Sequence, residues 1–172
     1  MGIGKEKNME AICENLDKLT MKNLELMEEK ISANIEMETI LRDGHIELAK
    51  ARYIRGKESI GRLQIPTADE EIESLFQLET IKSNEMDVPV FDISLKKSTN
   101  TEKVISNPIK RFGVLVPQNL KNAQKRFQES LFIAAKIANV SAQILNNENE
   151  FQSLMKEKEK ISSTENKENK SN

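Results

Sequence analysis

The chain has no tryptophan, one cysteine, one histidine and one tyrosine among its 172 residues. The solitary Cys13 rules out a disulfide framework or a cysteine-built zinc site, and it suits a reducing compartment. His45 has no second imidazole with which to share a metal ion, and Asp43, two residues before it, is poorly placed on a helix to help. Charge of one sign is missing too: 26 basic against 28 acidic residues leave −2, which gives no global positive field to hold nucleic acid. No apolar run reaches the ~18–20 residues that cross a bilayer. The opening MGIGKE reads neither as a secretory leader nor as a myristoylation signal, since Glu6 stands where Ser or Thr is needed. A soluble chain facing the cytosol is expected. With 37% apolar and 31% charged residues, the material for a thick globular core is short, which favours an elongated helical protein or one with long disordered parts.

What is present is helical periodicity. No proline precedes Pro66, and residues 8–55 read as one long helix within an N-terminal segment of residues 8–62. Met9, Ile12, Leu16, Leu19, Leu24, Leu26, Met27, Ile31 and Ile35 recur at three and four residues, with Asn23 and Lys30 as interruptions. Gly44 weakens this helix by ~1 kcal/mol relative to Ala, while Gly56 and Gly61 are the stop signals. Between residues 67 and 92, eight acidic residues face Lys82 alone. Residues 67–106 are therefore expected to be an acidic, mostly disordered linker, with a short helix around residues 70–81. Order is expected to return over residues 107–160, where Pro117 suits the first turn of a second helix. Leu120, Ala123, Phe127, Leu131, Ala134 and Ala138 form one stripe on it, and Ile133, Ile137, Val140 and Ile144 form another. The first helix can cover one stripe, so the second is expected to need a further partner. Residues 161–172 read as a disordered tail. The expected fold is all-α: a long antiparallel two-helix coiled-coil hairpin with a disordered acidic linker and a disordered C-terminal tail. Such a hairpin has a thin core, and its stability is expected to depend on an associated protein.

Catalytic constellations fail on distance or spacing. Cys13 and His45 are thirty-two residues apart on one predicted helix, or ~48 Å, and a nucleophile needs its base within about 3 Å. Gly56-Lys57 is followed by Glu58 and preceded by no strand, which removes a phosphate-binding loop. Asn139-Val140-Ser141 fits a glycosylation sequon but lies in an apolar helical stretch. No enzyme, cofactor or metal is expected. Two basic clusters remain: Lys50, Arg52, Arg55, Lys57 and Arg62 at the end of the first helix, and Lys110, Arg111, Lys121, Lys125 and Arg126 around the start of the second. They are either solvated helix ends or one converging patch for an acidic protein surface or anionic headgroups, with the acidic linker as a competitor. Leu48, Ala49, Ala51 and Tyr53 with Gly56 make a small-residue surface, and Phe112–Gly113–Val114–Leu115–Val116 is an apolar run that caps the hairpin end or docks a partner.

Two stretches carry a family resemblance. LAKARYIRGKESIGRLQ at residues 48–64, followed by NPIKRFGVLVPQNLKNAQKRFQESL at residues 107–131, resembles the vacuolar-ATPase assembly factor family of the animal coiled-coil domain-containing protein 115 and yeast Vma twenty-two type. The chain departs from the animal pattern at Arg111, where a Trp precedes the Phe-Gly pair. The resemblance implies a non-enzymatic chaperone for the membrane sector of the proton-pumping vacuolar ATPase. It implies work at the cytosolic face of the endoplasmic reticulum, extending to early secretory vesicles and endolysosomes, with a membrane-anchored assembly-factor partner and membrane-sector subunits as contacts. The expected structural centre is Leu48, Tyr53, Phe112, Val116, Leu120 and Phe127, joined at the hairpin end by Ala51, Arg52, Gly56, Gly113 and Pro117. Ile133, Ile137 and Ile144 are the expected partner contact. The other class consistent with the residues is a self-associating coiled-coil tether or adaptor.

Overall fold

The computed structural model describes residues 2–65, 74–82, 88–96 and 107–168, with side chains described for all of these but 2–7, 62, 82 and 164–168. Helix α1 runs Gly2–Arg55 and helix α2 Gln118–Glu168. Strands β1 (Phe76–Lys82) and β2 (Pro89–Leu95) lie between them, and short 3-10 turns occupy Arg62–Gln64 and Pro108–Phe112. The chain is thus mostly helical with a small antiparallel sheet, not all-α. No proline interrupts either helix, and residues 118–168 contain no glycine. The second helix also continues past residue 160 into the stretch expected to be a tail; residues 169–172 lie outside the described residues.

The helices pack in opposite directions. Glu47 meets Asn119, Gly44 meets Phe127 and Glu29 meets Lys136, so the partner number on α2 rises as α1 is followed back toward its N-terminus. The line of α1 that is buried or half-buried runs Ile12, Leu16, Leu19, Asn23, Leu26, Lys30, Ala33, Met37, Ile40, Gly44, Glu47, Ala51. Its steps alternate four and three without a break, which is a 3.5-residue period. Asn23 and Lys30 therefore stand inside the packed line and do not interrupt it. Leu24, Met27, Ile31 and Ile35 belong to a different, exposed line. Hydrophobicity alone does not separate the two lines after Leu19, because both are apolar.

The acidic linker is corrected by the strands. Phe76 pairs with Leu95 and Lys82 with Pro89 in an antiparallel register. Residues 76–81 are strand where a short helix was expected, and residues 70–73 lie outside the described residues. Alternation explains it: Phe91 and Ile93 turn inward and Val90, Asp92 and Ser94 outward, a period of two. A two-stranded hairpin is marginal alone in water. Here it rests on α2, where Phe76 meets Phe132 edge-on at 5.8 Å. Asn139 accepts from the Phe91 N–H (2.7 Å) and donates to the Phe91 carbonyl (2.9 Å), closing the open edge of β2 as a neighbouring strand would. The sequon asparagine is thus a structural clamp.

On the second stripe of α2, Ile133, Ile137 and Ile144 are half-buried and Val140 is buried, so the chain itself covers this stripe in part.

Candidate functional site

The two stretches that carry the family resemblance come together at one end of the molecule. Gly56, at φ +85°, ends α1 in a left-handed conformation and donates to the Arg52 carbonyl. The chain then folds back under Arg52, whose Nε donates to the Ile60 carbonyl at 2.9 Å. Gln64 fixes this loop from both sides, accepting from the Gly61 N–H and donating to the Glu58 carbonyl. Ile60 is carried in this way onto Ala51 and Leu120, and Leu48, Ile109, Phe112 and Val116 pack around that buried trio. On the other side, Asn107 caps the 3-10 turn through the Ile109 N–H, and Gln124 of α2 donates to the same Oδ1. The Pro117 carbonyl accepts the first helical bonds of α2, from Leu120 and Lys121.

Of the residues expected at the hairpin end, Leu48, Ala51, Phe112, Val116 and Leu120 belong to this cluster, and Phe127 lines the groove beside it. Phe127 lies over Gly44, whose added Cβ would meet the ring at 3.0 Å, and its ring faces His45 edge-on at 5.2 Å. Gly44 is small because a phenylalanine needs the room. Tyr53 is not part of the core: it is 92% exposed. The apolar run 112–116 divides. Phe112 and Val116 face in, whereas Val114 is fully exposed and Leu115 is 78% exposed beyond Gly113. Arg52, Arg55, Lys57 and Lys110 lie exposed around them, and Arg55 approaches Gly113. An apolar groove of about 350 Å³ opens beside this end, lined by Leu48, Phe76, Pro108, Phe112, Phe127 and Leu131 among others. Ile133, Ile137 and Ile144 lie farther along α2 and take no part in it.

A polar tie that residue types alone did not mark holds the helices together here. Glu47 accepts from Lys50 at 2.7 Å through Oε1, and from Asn119 at 2.7 Å and Asn122 at 3.4 Å through Oε2. The hydrogen bond from Lys50, then that from Asn119, holds its carboxyl below the ordinary carboxylate value, against a smaller opposing effect of burial. Its signal in the sequence was positional: Glu47 falls on the four-three line between Gly44 and Ala51. Among the described residues no group of three His, Cys, Asp or Glu side chains could hold a metal ion, and no helix is long and apolar enough to cross a membrane. The arrangement presents exposed aliphatic and cationic side chains on a fixed scaffold, which suits contact with another macromolecule.

No protein-family model matches the chain. Curated relatives do. A protein of Danio rerio named vacuolar ATPase assembly protein VMA22 is 28% identical, over 82% of this chain and 87% of its own length. The Mus musculus protein of that name is 27% identical over 86% and 93%, and the Homo sapiens one 28% over 75% and 83%. Each of these alignments covers three quarters of this chain or more, a longer stretch than the two at the hairpin end.

Proposed function

We infer a function from the premise that this chain belongs to the vacuolar-ATPase assembly factor family, which relatives matching most of its length support. The relatives are named as assembly proteins, and an assembly role is the coarse function that follows. The finer reading is a chaperone for the membrane sector of the proton-pumping vacuolar ATPase, bound on the cytosolic face of the endoplasmic reticulum through a membrane-anchored partner, and so supporting vacuolar or lysosomal acidification. Binding would be modest in affinity, so that native subunit contacts displace it. The four-three line of α1 packed against α2 is read as an antiparallel coiled coil with a register set by its polar members.

The observation that carries this reading is the end of the hairpin. Both resemblance stretches build it, and their outward residues, Tyr53, Val114 and Leu115, have no role in the core. Exposed aliphatic side chains on a braced loop are contact residues in wait of a surface. The test is depletion of the protein from cells, followed by native-gel analysis of the pump and by organelle pH measurement. The reading expects loss of assembled membrane sector and a rise in luminal pH, both restored by the full chain. Unchanged assembly and pH would overturn it. The self-associating tether gains no observation of its own.

A further inference from the structure

The outer face of α1 carries a second line that no part of the described chain covers. Met21, Leu24, Met27, Ile31 and Ile35 are each between 48% and 60% exposed, and they face away from α2. Their steps of three and four keep them on one side over a length of ~21 Å at 1.5 Å per residue. This row is distinct from the hairpin end and does not rest on the family reading.

Charge decides what fits it. Exposed Glu14, Asp17, Glu25, Glu28, Glu36 and Glu38 border the row along its whole length. The cations nearby are few. Lys18 and Arg42 stand at its two ends and already pair within α1, with Glu14 at 3.2 Å and Asp43 at 3.6 Å. Lys22 is a further exposed cation on this stretch, and Lys136 of α2 engages Glu29 at 3.3 Å. A second copy is a poor occupant: laid antiparallel about the middle of the row it sets Glu28 against itself, and laid parallel it aligns like charges throughout. An anionic bilayer would be repelled as well. An apolar helix bordered by Lys and Arg meets both demands, burying the row and neutralising its rim. Two methionines suit such a groove, since their unbranched thioethers adjust to an incoming side chain.

We propose that the outer face of α1, between residues 14 and 42, docks a basic amphipathic helix of a partner protein. The probe is a synthetic helical peptide of about 18 residues, long enough to hold helix, with Leu at helical spacing and Lys elsewhere. A control peptide keeps the Leu positions and carries Glu in place of Lys. Both are titrated into the full chain, and into Leu24→Ser/Ile31→Ser, which removes two apolar contacts and no charge. Circular dichroism verifies that this variant keeps its helix content. The Lys peptide is expected to bind about tenfold or more tightly than the Glu peptide at low salt, with the gap closing as salt is raised. The double variant should lose about tenfold or more of that affinity, while Leu78→Ser/Leu95→Ser on the strands should lose none. Equal binding of the two peptides, or undiminished binding by Leu24→Ser/Ile31→Ser, would overturn the proposal. So would concentration-dependent self-association that the same double variant abolishes, which would assign the face to a second copy.

Discussion

The hairpin end and the far limb of the same two helices are built on opposite terms. At the hairpin end, side-chain amides and Arg52 close the loops, a buried trio fills the space beneath, and Glu47 bridges to two asparagines of α2. In the far limb the seam includes half-buried Asn23 and buried Asn147, and neither Asn23 Oδ1 nor Asn147 Nδ2 has a hydrogen-bond partner among the described residues. The antiparallel run carries these two residues to about the same level. A buried unpaired amide atom costs on the order of 1–3 kcal/mol, so this layer specifies register at the expense of stability. One end is braced by polar ties and presents exposed side chains; the other is packed along an apolar seam with two unpaired amide atoms and keeps an apolar row outside. A long helical pair can thus separate its scaffold from its adaptable part without a domain boundary.

The sharpest way to break that contrast is to truncate one leucine in each region. Leu120→Ala empties a packed site at the hairpin end and should cost ~2–5 kcal/mol in denaturant unfolding. Leu24→Ala, on the exposed row, should stay within about 0.5 kcal/mol of the parent in the same experiment. Equal losses would mean that Leu24 is packed as tightly as Leu120 and would contradict an exposed row.

Gly44→Leu tests whether close approach of Phe127 matters. Helix propensity alone would favour Leu by close to ~1 kcal/mol, but the ring leaves no room for it, and overpacking costs ~1–3 kcal/mol. A lower melting temperature is expected, and a higher one would show that the Phe127 contact yields easily.

Asn139→Leu removes the clamp on Phe91 and leaves two backbone groups of β2 unpaired, at a cost of ~1–3 kcal/mol. Hydrogen exchange is the suitable readout. Amides of residues 90–95 should lose protection while those of residues 48–55 keep theirs; protection lost equally in both would contradict a locally clamped hairpin.

The smallest expected effect is that of pH on Glu47. Its folded carboxyl titrates below the unfolded value, so its contribution to stability is present above the unfolded value and is lost as pH falls through the folded one. Glu47→Gln should flatten that part of the stability–pH curve, measured at moderate ionic strength. An unaltered curve would mean that other carboxylates carry the acid dependence.

Several features of this fold were legible from residues alone. The two long helices followed from periodicity and from the positions of Gly56 and Pro117, and the two resemblance stretches do meet at one end. The strands were missed because Glu79, Glu85, Asp87 and Asp92 weigh on composition, whereas strand formation rests on the alternate placing of Phe91 and Ile93 and on Asn139 forty-eight residues away. The seam of α1 was misread at Asn23 and Lys30 because hydrophobicity, unlike spacing, cannot tell a packed line from an exposed one when both are apolar. Tyr53, expected in the structural centre, lies outside it, since Ala51 is the residue of that turn which is buried.

The central claim is that the hairpin end contacts the pump under assembly. Cross-linking in intact membranes, with the full chain and with Val114→Asp/Leu115→Asp, tests it most directly. The native chain should recover vacuolar-ATPase subunits, and the double variant, folded by circular dichroism, should recover about tenfold fewer. Equal recovery by both, or recovery of no pump subunit by the native chain, would contradict the account.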